Sequence, residues 1–312
     1  MDRVFLGTRF SLRLILISFD YFRYNLAMKK ITLLLLLLNT YIFSNINAVV
    51  SIVPVQTFVK VIGGEHITVT VMVQAGDSPH SYEPKPLQML SVAKADLYFA
   101  IGVEFENVWL PKFTSLNPKM KLTHLNENVN TINMASAHHG ENAHDGHDEH
   151  SGKDPHIWTA PKNVAIIAQN IFDALRQQDP KNTHYYKENL EKFLDKVADT
   201  DKQLKEIFST YKGSSKFMVF HPSWGYFAKA YGLEQVDVEV EGKSPKPREL
   251  VHLLQEAKEE KVSAIFTQPE FSDASAKIIA KELNIPVIKI SPMAKNWSEN
   301  LIYMAKSITG KE

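Results

Sequence analysis

Between residues 182 and 211, Tyr186, Leu190, Phe193, Leu194, Val197, Leu204, Ile207 and Phe208 recur at three- and four-residue intervals. That is the period of one apolar face of a helix. At 1.5 Å per residue such a helix spans roughly 45 Å, longer than most helices in compact domains. On either side the pattern changes to short β-branched runs alternating with helical segments, which argues for parallel βα units. Upstream, strands are expected over 49–55, 67–74, 96–101 and 121–125, with helices over 56–63, 85–95, 106–113 and 161–178. Downstream of Lys212-Gly213-Ser214-Ser215, strands are expected over 216–220, 235–240, 262–267 and 287–290, and helices over 223–231, 247–260 and 274–283. The expected class is α/β: two βα lobes with parallel sheets, residues 49–180 and 212–312, joined by one long rigid helix over 181–211.

The first 48 residues read differently. Met28-Lys29-Lys30 precedes a leucine-rich run from Ile31 to Leu38, then polar Asn39 and Thr40 and a small-residue end at Ala48. This is the layout of a secretory signal peptide, with translation starting at Met28. A membrane anchor would need about 20 apolar residues, and Asn39, Asn45 and Asn47 interrupt the run. The sequence contains no cysteine, so neither disulfides nor a lipid-attachment cysteine are available, and soluble release into a periplasm is expected. Lysine plus arginine (35) balance aspartate plus glutamate (35), which argues against a nucleic-acid partner, since that needs a basic surface.

Without thiolates, any metal must be held by imidazole and oxygen. Histidine is concentrated in one place: His138, His139, His144, His147 and His150 are interleaved with carboxylates, a composition that collects metal. Ligands of open α/β sheets, however, bind beyond the carboxyl ends of the strands. Three isolated histidines fall there: His80 after the second expected strand, His156 at the far end of the loop after the fourth, and His221 directly after Phe217-Met218-Val219-Phe220. Two come from the first lobe and one from the second, so an interlobe cleft would unite them into a site suited to zinc, tetrahedral with one further position. His66, His124, His184 and His252 read as capping or core residues.

Ser78-Pro79-His80-Ser81-Tyr82-Glu83-Pro84, Asp154-Pro155-His156-Ile157-Trp158 and Phe220-His221-Pro222-Ser223-Trp224-Gly225-Tyr226, in this order, resemble motifs of the metal-binding substrate-binding proteins of zinc and manganese ABC transporters. The closest branch is the periplasmic zinc-binding, ZnuA-like one, and the likeness covers about residues 49–308. It implies two lobes bridged by a rigid helix and a metal between them on His80, His156 and His221. It implies a high-affinity receptor, monomeric, that carries Zn2+ as transported ligand to its cognate membrane permease. Many relatives place an aspartate after the last strand, where this chain has Ile290-Ser291-Pro292-Met293, and some zinc relatives a glutamate before the first histidine, where this chain has Pro79. The expected fourth ligand is water or a group from the His138–His150 tract, with Glu270 as a further candidate.

An imidazole ligand needs a carboxylate or carbonyl on its other nitrogen, and Asp154 and Glu83 are the candidates nearby in sequence. Trp158 and Trp224 are expected to pack beside the site. An all-imidazole site disfavours manganese relative to zinc. The alternatives are a receptor of the same family for manganese or another divalent metal, a zinc hydrolase using the open position, and a metal-buffering adhesin. For the hydrolase there is no paired carboxylate, nucleophile elbow or HExxH helix, so the chain is not expected to be an enzyme. The His138–His150 tract then reads as a mobile accessory rather than the primary site.

Overall fold

A computed structural model describes residues 45–134, 152–239 and 243–311. The expected leader up to residue 44, with the Met28 start, and the His138–His150 tract lie outside the described residues.

The first sheet contains β1 (Ile46–Ile52), β2 (Ile67–Val73), β3 (Leu97–Ala100) and β4 (Lys121–His124), all parallel, in the order β2-β1-β3-β4. Between them run α1 (Val53–Gly63), α2 (Pro86–Ala93) and α3 (Glu104–Leu116), and α4 (Pro161–Gln178) follows β4. The second sheet repeats this order as β6-β5-β7-β8, from β5 (Lys216–Val219), β6 (Glu234–Asp237), β7 (Ile265–Thr267) and β8 (Val287–Lys289), again all parallel. Its helices are α6 (Gly225–Ala230), α7 (Pro247–Glu259) and α8 (Ala274–Leu283). Parallel strands all point their carboxyl ends to one edge, so each sheet offers a single rim of loops at which to build a site.

Helix α5 (Thr183–Ser209) joins the two sheets. Its 27 residues give a length of about 40 Å. Tyr186, Leu190, Phe193, Val197, Thr200 and Leu204 form its buried stripe, alternating steps of four and three. The stripe packs on α1 and α4 of the first lobe and on α9 (Trp297–Thr309), which returns from the second lobe. The long helix is thus held by helices from both lobes. Helix α9 lies beyond the last expected strand and is not among the expected helices.

Core packing shows how the second lobe is tied to the first. On β5, Phe217 and Val219 join the large core that runs through the first lobe and α9, while Met218 and, just beyond the strand, Phe220 face a smaller core with Leu253, Ile265 and Ile279. The period-2 alternation of a strand puts successive residues on opposite faces, so one strand serves both cores. The near-continuous apolar runs of β1 and β3 reflect the same coverage of both faces.

The apolar run expected as one strand over 49–55 is divided. Strand β1 spans Ile46–Ile52, and Pro54 sits in the first turn of α1, where its missing N–H leaves no bond unmade. Ala48 is the third residue of β1, and the Asn47 N–H donates to Asp96 Oδ2 at 2.8 Å. The residue expected to end the leader therefore lies inside a paired strand. The helix expected over 223–231 is shorter, Gly225–Ala230, because the turn His221–Trp224 bonds within itself and to Gln268 and Gln235 before the helix starts.

Candidate metal site

Three loops from three strand ends meet between the lobes. His80 lies between β2 and α2, His156 between β4 and α4 at the start of the short turn Ile157–Thr159, and His221 directly beyond β5. One ring nitrogen from each lies within 4.8 Å of the other two, and His80 Nε2 and His221 Nε2 are 2.9 Å apart. His156 and His221 are buried at 3% and 6% exposure, whereas the His80 side chain retains 28%, so the site opens to solvent on the His80 side.

Each imidazole is oriented from behind by its own carboxylate. His80 Nδ1 faces Glu104 Oε1 at 3.1 Å, His156 Nδ1 faces Asp154 Oδ1 at 2.8 Å, and His221 Nδ1 faces Glu239 Oε1 at 2.8 Å. A carboxylate on Nδ1 holds the proton there and leaves the Nε2 lone pair directed inward, the state a metal ligand requires. Burial pulls the His221 ring below its ordinary value, Glu239 opposes this, and the neighbouring His156 and His80 add to the lowering. Burial acts the same way on His80, but the Glu104 hydrogen bond and charge, with the Glu239 charge behind them, carry it above its ordinary value. Burial would raise Glu104; His80 outweighs it and holds the carboxyl below its usual range.

The charge balance favours a dication. Glu104, Asp154 and Glu239 contact the histidines, Glu270 lines the same cavity, and among the described residues none of the four is paired with lysine or arginine. Glu104, Glu239 and Glu270 each keep a second buried oxygen with no hydrogen-bond partner. Buried unpaired carboxylate is costly unless a cation offsets it. The space between the rings is about 10 Å3, room for one water-sized sphere or one ion.

The surrounding chain fixes these groups. Asp154 Oδ1 also accepts the His156 backbone N–H at 2.9 Å, and the Asp154 carbonyl accepts Tyr226 Oη–H from the second lobe at 2.8 Å. Gly225 is required beside it, since an added Cβ would stand 2.6 Å from Asp154 Oδ2. The Glu106 carboxylate accepts the N–H groups of Ile101 and Gly102, both at 2.9 Å, and so sets the loop that carries Glu104. Gln268 accepts the His221 N–H at 3.2 Å and donates to the His221 carbonyl at 2.8 Å, while the Phe271 ring stacks on His221 at 4.6 Å.

Of the two carboxylates expected behind the ligands, Asp154 is in place and Glu83 is not. Glu83 is exposed, ahead of Pro84-Lys85-Pro86, and Glu104 takes the position expected of it. Glu239, Gln268 and Phe271 are likewise not among the expected site residues. The signal was available, because Glu104 and Glu239 lie just beyond β3 and β6, under the strand-end rule that located the histidines. Trp158 lines the cavity as expected, whereas Trp224 packs against Phe227. His66 packs on Tyr185, and His184 pairs with Glu188 on the surface of α5. Replacing Glu239 by glutamine keeps a hydrogen-bond acceptor and removes the charge. Metal affinity is expected to fall about 10- to 100-fold with an unchanged melting curve of the metal-free protein. Affinity within 2-fold of the original would show that Glu239 does not tune His221.

Residues 48–309 match the family described as "ZnuA: Zinc-uptake complex component A periplasmic". The chain belongs to the ZnuA family. A crystal structure of ZnuA superposes with a TM-score of 0.78 at 36% identity, covering 86% of this chain and 99% of that one. A zinc-bound deletion mutant of ZnuA gives 0.77 at 35% identity, with the same coverages. Among curated relatives, the manganese ABC transporter substrate-binding lipoprotein PsaA of Streptococcus mitis is 28% identical over 240 residues, 73% of this chain and 74% of PsaA. The two-lobed α/β fold with its long connecting helix is thus the ZnuA fold, and the chain is a metal-binding periplasmic receptor of an ABC transporter, a substrate-binding component that works with a membrane permease.

Proposed function

We propose that this ZnuA-family receptor captures Zn2+ on His80, His156 and His221 and delivers it from the periplasm to its permease. The observation that carries this reading is the set of three inward-facing imidazoles, each backed by a separate carboxylate. Neutral imidazole ranks zinc well above manganese, which prefers oxygen ligands and sits low in the affinity order. The zinc-bound ZnuA mutant supports the same choice. Delivery as a monomer without a lipid tether belongs to this reading, since the sequence has no cysteine to lipidate, although PsaA is a lipoprotein. The tract His138–His150 would serve as an accessory collector of zinc, apart from the three-histidine site. A manganese receptor is the second reading, favoured by the Glu270 carboxylate on the cavity wall and by the manganese relative.

Calorimetric titration of the metal-free protein tests it. Zinc is expected to bind tightly at the three-histidine site and manganese more weakly. Protonated imidazole cannot ligate, and His80 titrates above its ordinary value of 6.5, so proton competition begins at or above that pH. His221 titrates lower and stays available longer. Zinc affinity should therefore fall about tenfold per pH unit below the His80 value, and more steeply as the other rings charge. Tighter binding of manganese than zinc would select the second reading, and constant affinity from pH 8 to 5 would remove an imidazole site altogether.

A further inference from the structure

The repeated strand order gives every loop of the first lobe a counterpart in the second. Beyond β3 the chain reads Gly102-Val103-Glu104-Phe105, and beyond β7 it reads Gln268-Pro269-Glu270-Phe271. Glu104 and Glu270 hold equivalent places in the two lobes, yet they are engaged differently. Glu104 orients His80. Glu270 orients no ring, because each of the three Nδ1 atoms already faces another carboxylate. Its Oε1 accepts Ser291 Oγ–H at 3.0 Å, and its Oε2 is buried without a partner on the wall of the metal cavity. Zinc on three imidazoles still has a tetrahedral position to fill.

We propose that Glu270 supplies the fourth metal ligand through Oε2 and sets how strictly the site prefers zinc over manganese. This rests on the three-histidine reading above. Among the described residues the 4.8 Å cluster holds only the histidines, so Glu270 closes onto the metal by a side-chain rotation away from its Ser291-bound position. Each lobe then provides two ligands, His80 and His156 facing His221 and Glu270. The loop that carries Glu270 also grips His221, through Gln268 on its backbone and Phe271 on its ring, so the second lobe's two ligands move as one unit. An anionic carboxylate in place of neutral water favours manganese more than zinc, because manganese is the harder ion. Glu270 therefore narrows the gap between the two metals.

The test is metal affinity of the full-length protein by chelator competition, together with the visible absorption of the cobalt-loaded form. Glu270→Gln keeps the size and the Ser291 hydrogen bond while removing the charged donor. It should weaken zinc by about 10-fold or more, weaken manganese further, and alter the cobalt spectrum. Ser291→Ala, which removes only the resting partner, should bind zinc as tightly as the unmodified protein or more tightly. Unchanged affinities and an unchanged cobalt spectrum in Glu270→Gln would overturn the proposal, as would an equal loss of affinity in Ser291→Ala. His156→Ala in the same series separates the two readings. If it abolishes tight binding while Glu270→Gln leaves the affinities and the cobalt spectrum unchanged, only the fourth-ligand assignment fails; if it binds as before, the three-histidine site itself fails.

Discussion

Replacing His156 by alanine is expected to lower zinc affinity by roughly 100- to 1,000-fold. Structural zinc sites are worth about 10–16 kcal/mol in total over four ligands, so one ligand accounts for roughly 2.5–4 kcal/mol, and every 1.4 kcal/mol is tenfold. The fold should survive, because Asp154, which loses its ring partner, still accepts the backbone N–H of residue 156 and remains anchored through Tyr226. His80→Ala offers a control with less buried structure at risk, since that side chain is more than a quarter exposed. Both variants should lose affinity while their metal-free forms melt within a few degrees of the original. Competition titration reads the first quantity and circular dichroism the second. A His156 variant that binds within tenfold of the original would place the metal elsewhere.

Truncating Trp158 to alanine is expected to cost about 3–5 kcal/mol of stability, the range for a fully buried large aromatic. The side chain is completely buried two residues beyond His156, and its Nε1–H donates to the Pro292 carbonyl at 2.8 Å, on the segment leaving the second sheet. Its own carbonyl accepts Trp297 Nε1–H at 2.7 Å. One residue thus joins the loop that carries a ligand to the start of α9. For a chain of this size each kcal/mol corresponds to roughly 2–4 °C, so the melting temperature should fall by about 6–20 °C. Trp158→Phe keeps most of the packing and loses the hydrogen bond, so its cost should be about 1–3 kcal/mol. A melting temperature within 2 °C of the original for Trp158→Ala would show that this contact does not hold the lobes together.

Helix α5 was legible from its apolar period, and the strands from alternating β-branched runs, because both follow from local chemistry. The three histidines were legible for a related reason: the strand-end rule narrows a ligand's place to a few loop positions. The rule ranked the histidines but not the groups behind them. Glu83 is three residues from His80 and Glu104 twenty-four, yet Glu104 makes the contact, since two prolines lead Glu83 outward while Phe105 N–H donates to the Pro79 carbonyl and draws the Glu104 loop alongside. Helix α9 was missed although its buried residues Trp297, Leu301, Met304, Ala305 and Ile308 keep a regular helical spacing. Its importance lies in its packing on α5, about one hundred residues away along the chain.

By itself the sequence determined the class of fold, the absence of thiolate chemistry and the three imidazoles available at strand ends. These are properties of periodicity and residue type, which act over a few residues. Only the tertiary structure decided that a nitrogen from each of the three rings converges on one point, that Glu104 and Glu239 join Asp154 behind them, and that Glu270 rests on Ser291 with an oxygen left over. Those pairings depend on which loops the two sheets bring to a common rim. That is set by strand order and by the packing of α5 and α9, contacts between residues far apart in the chain that no local pattern encodes.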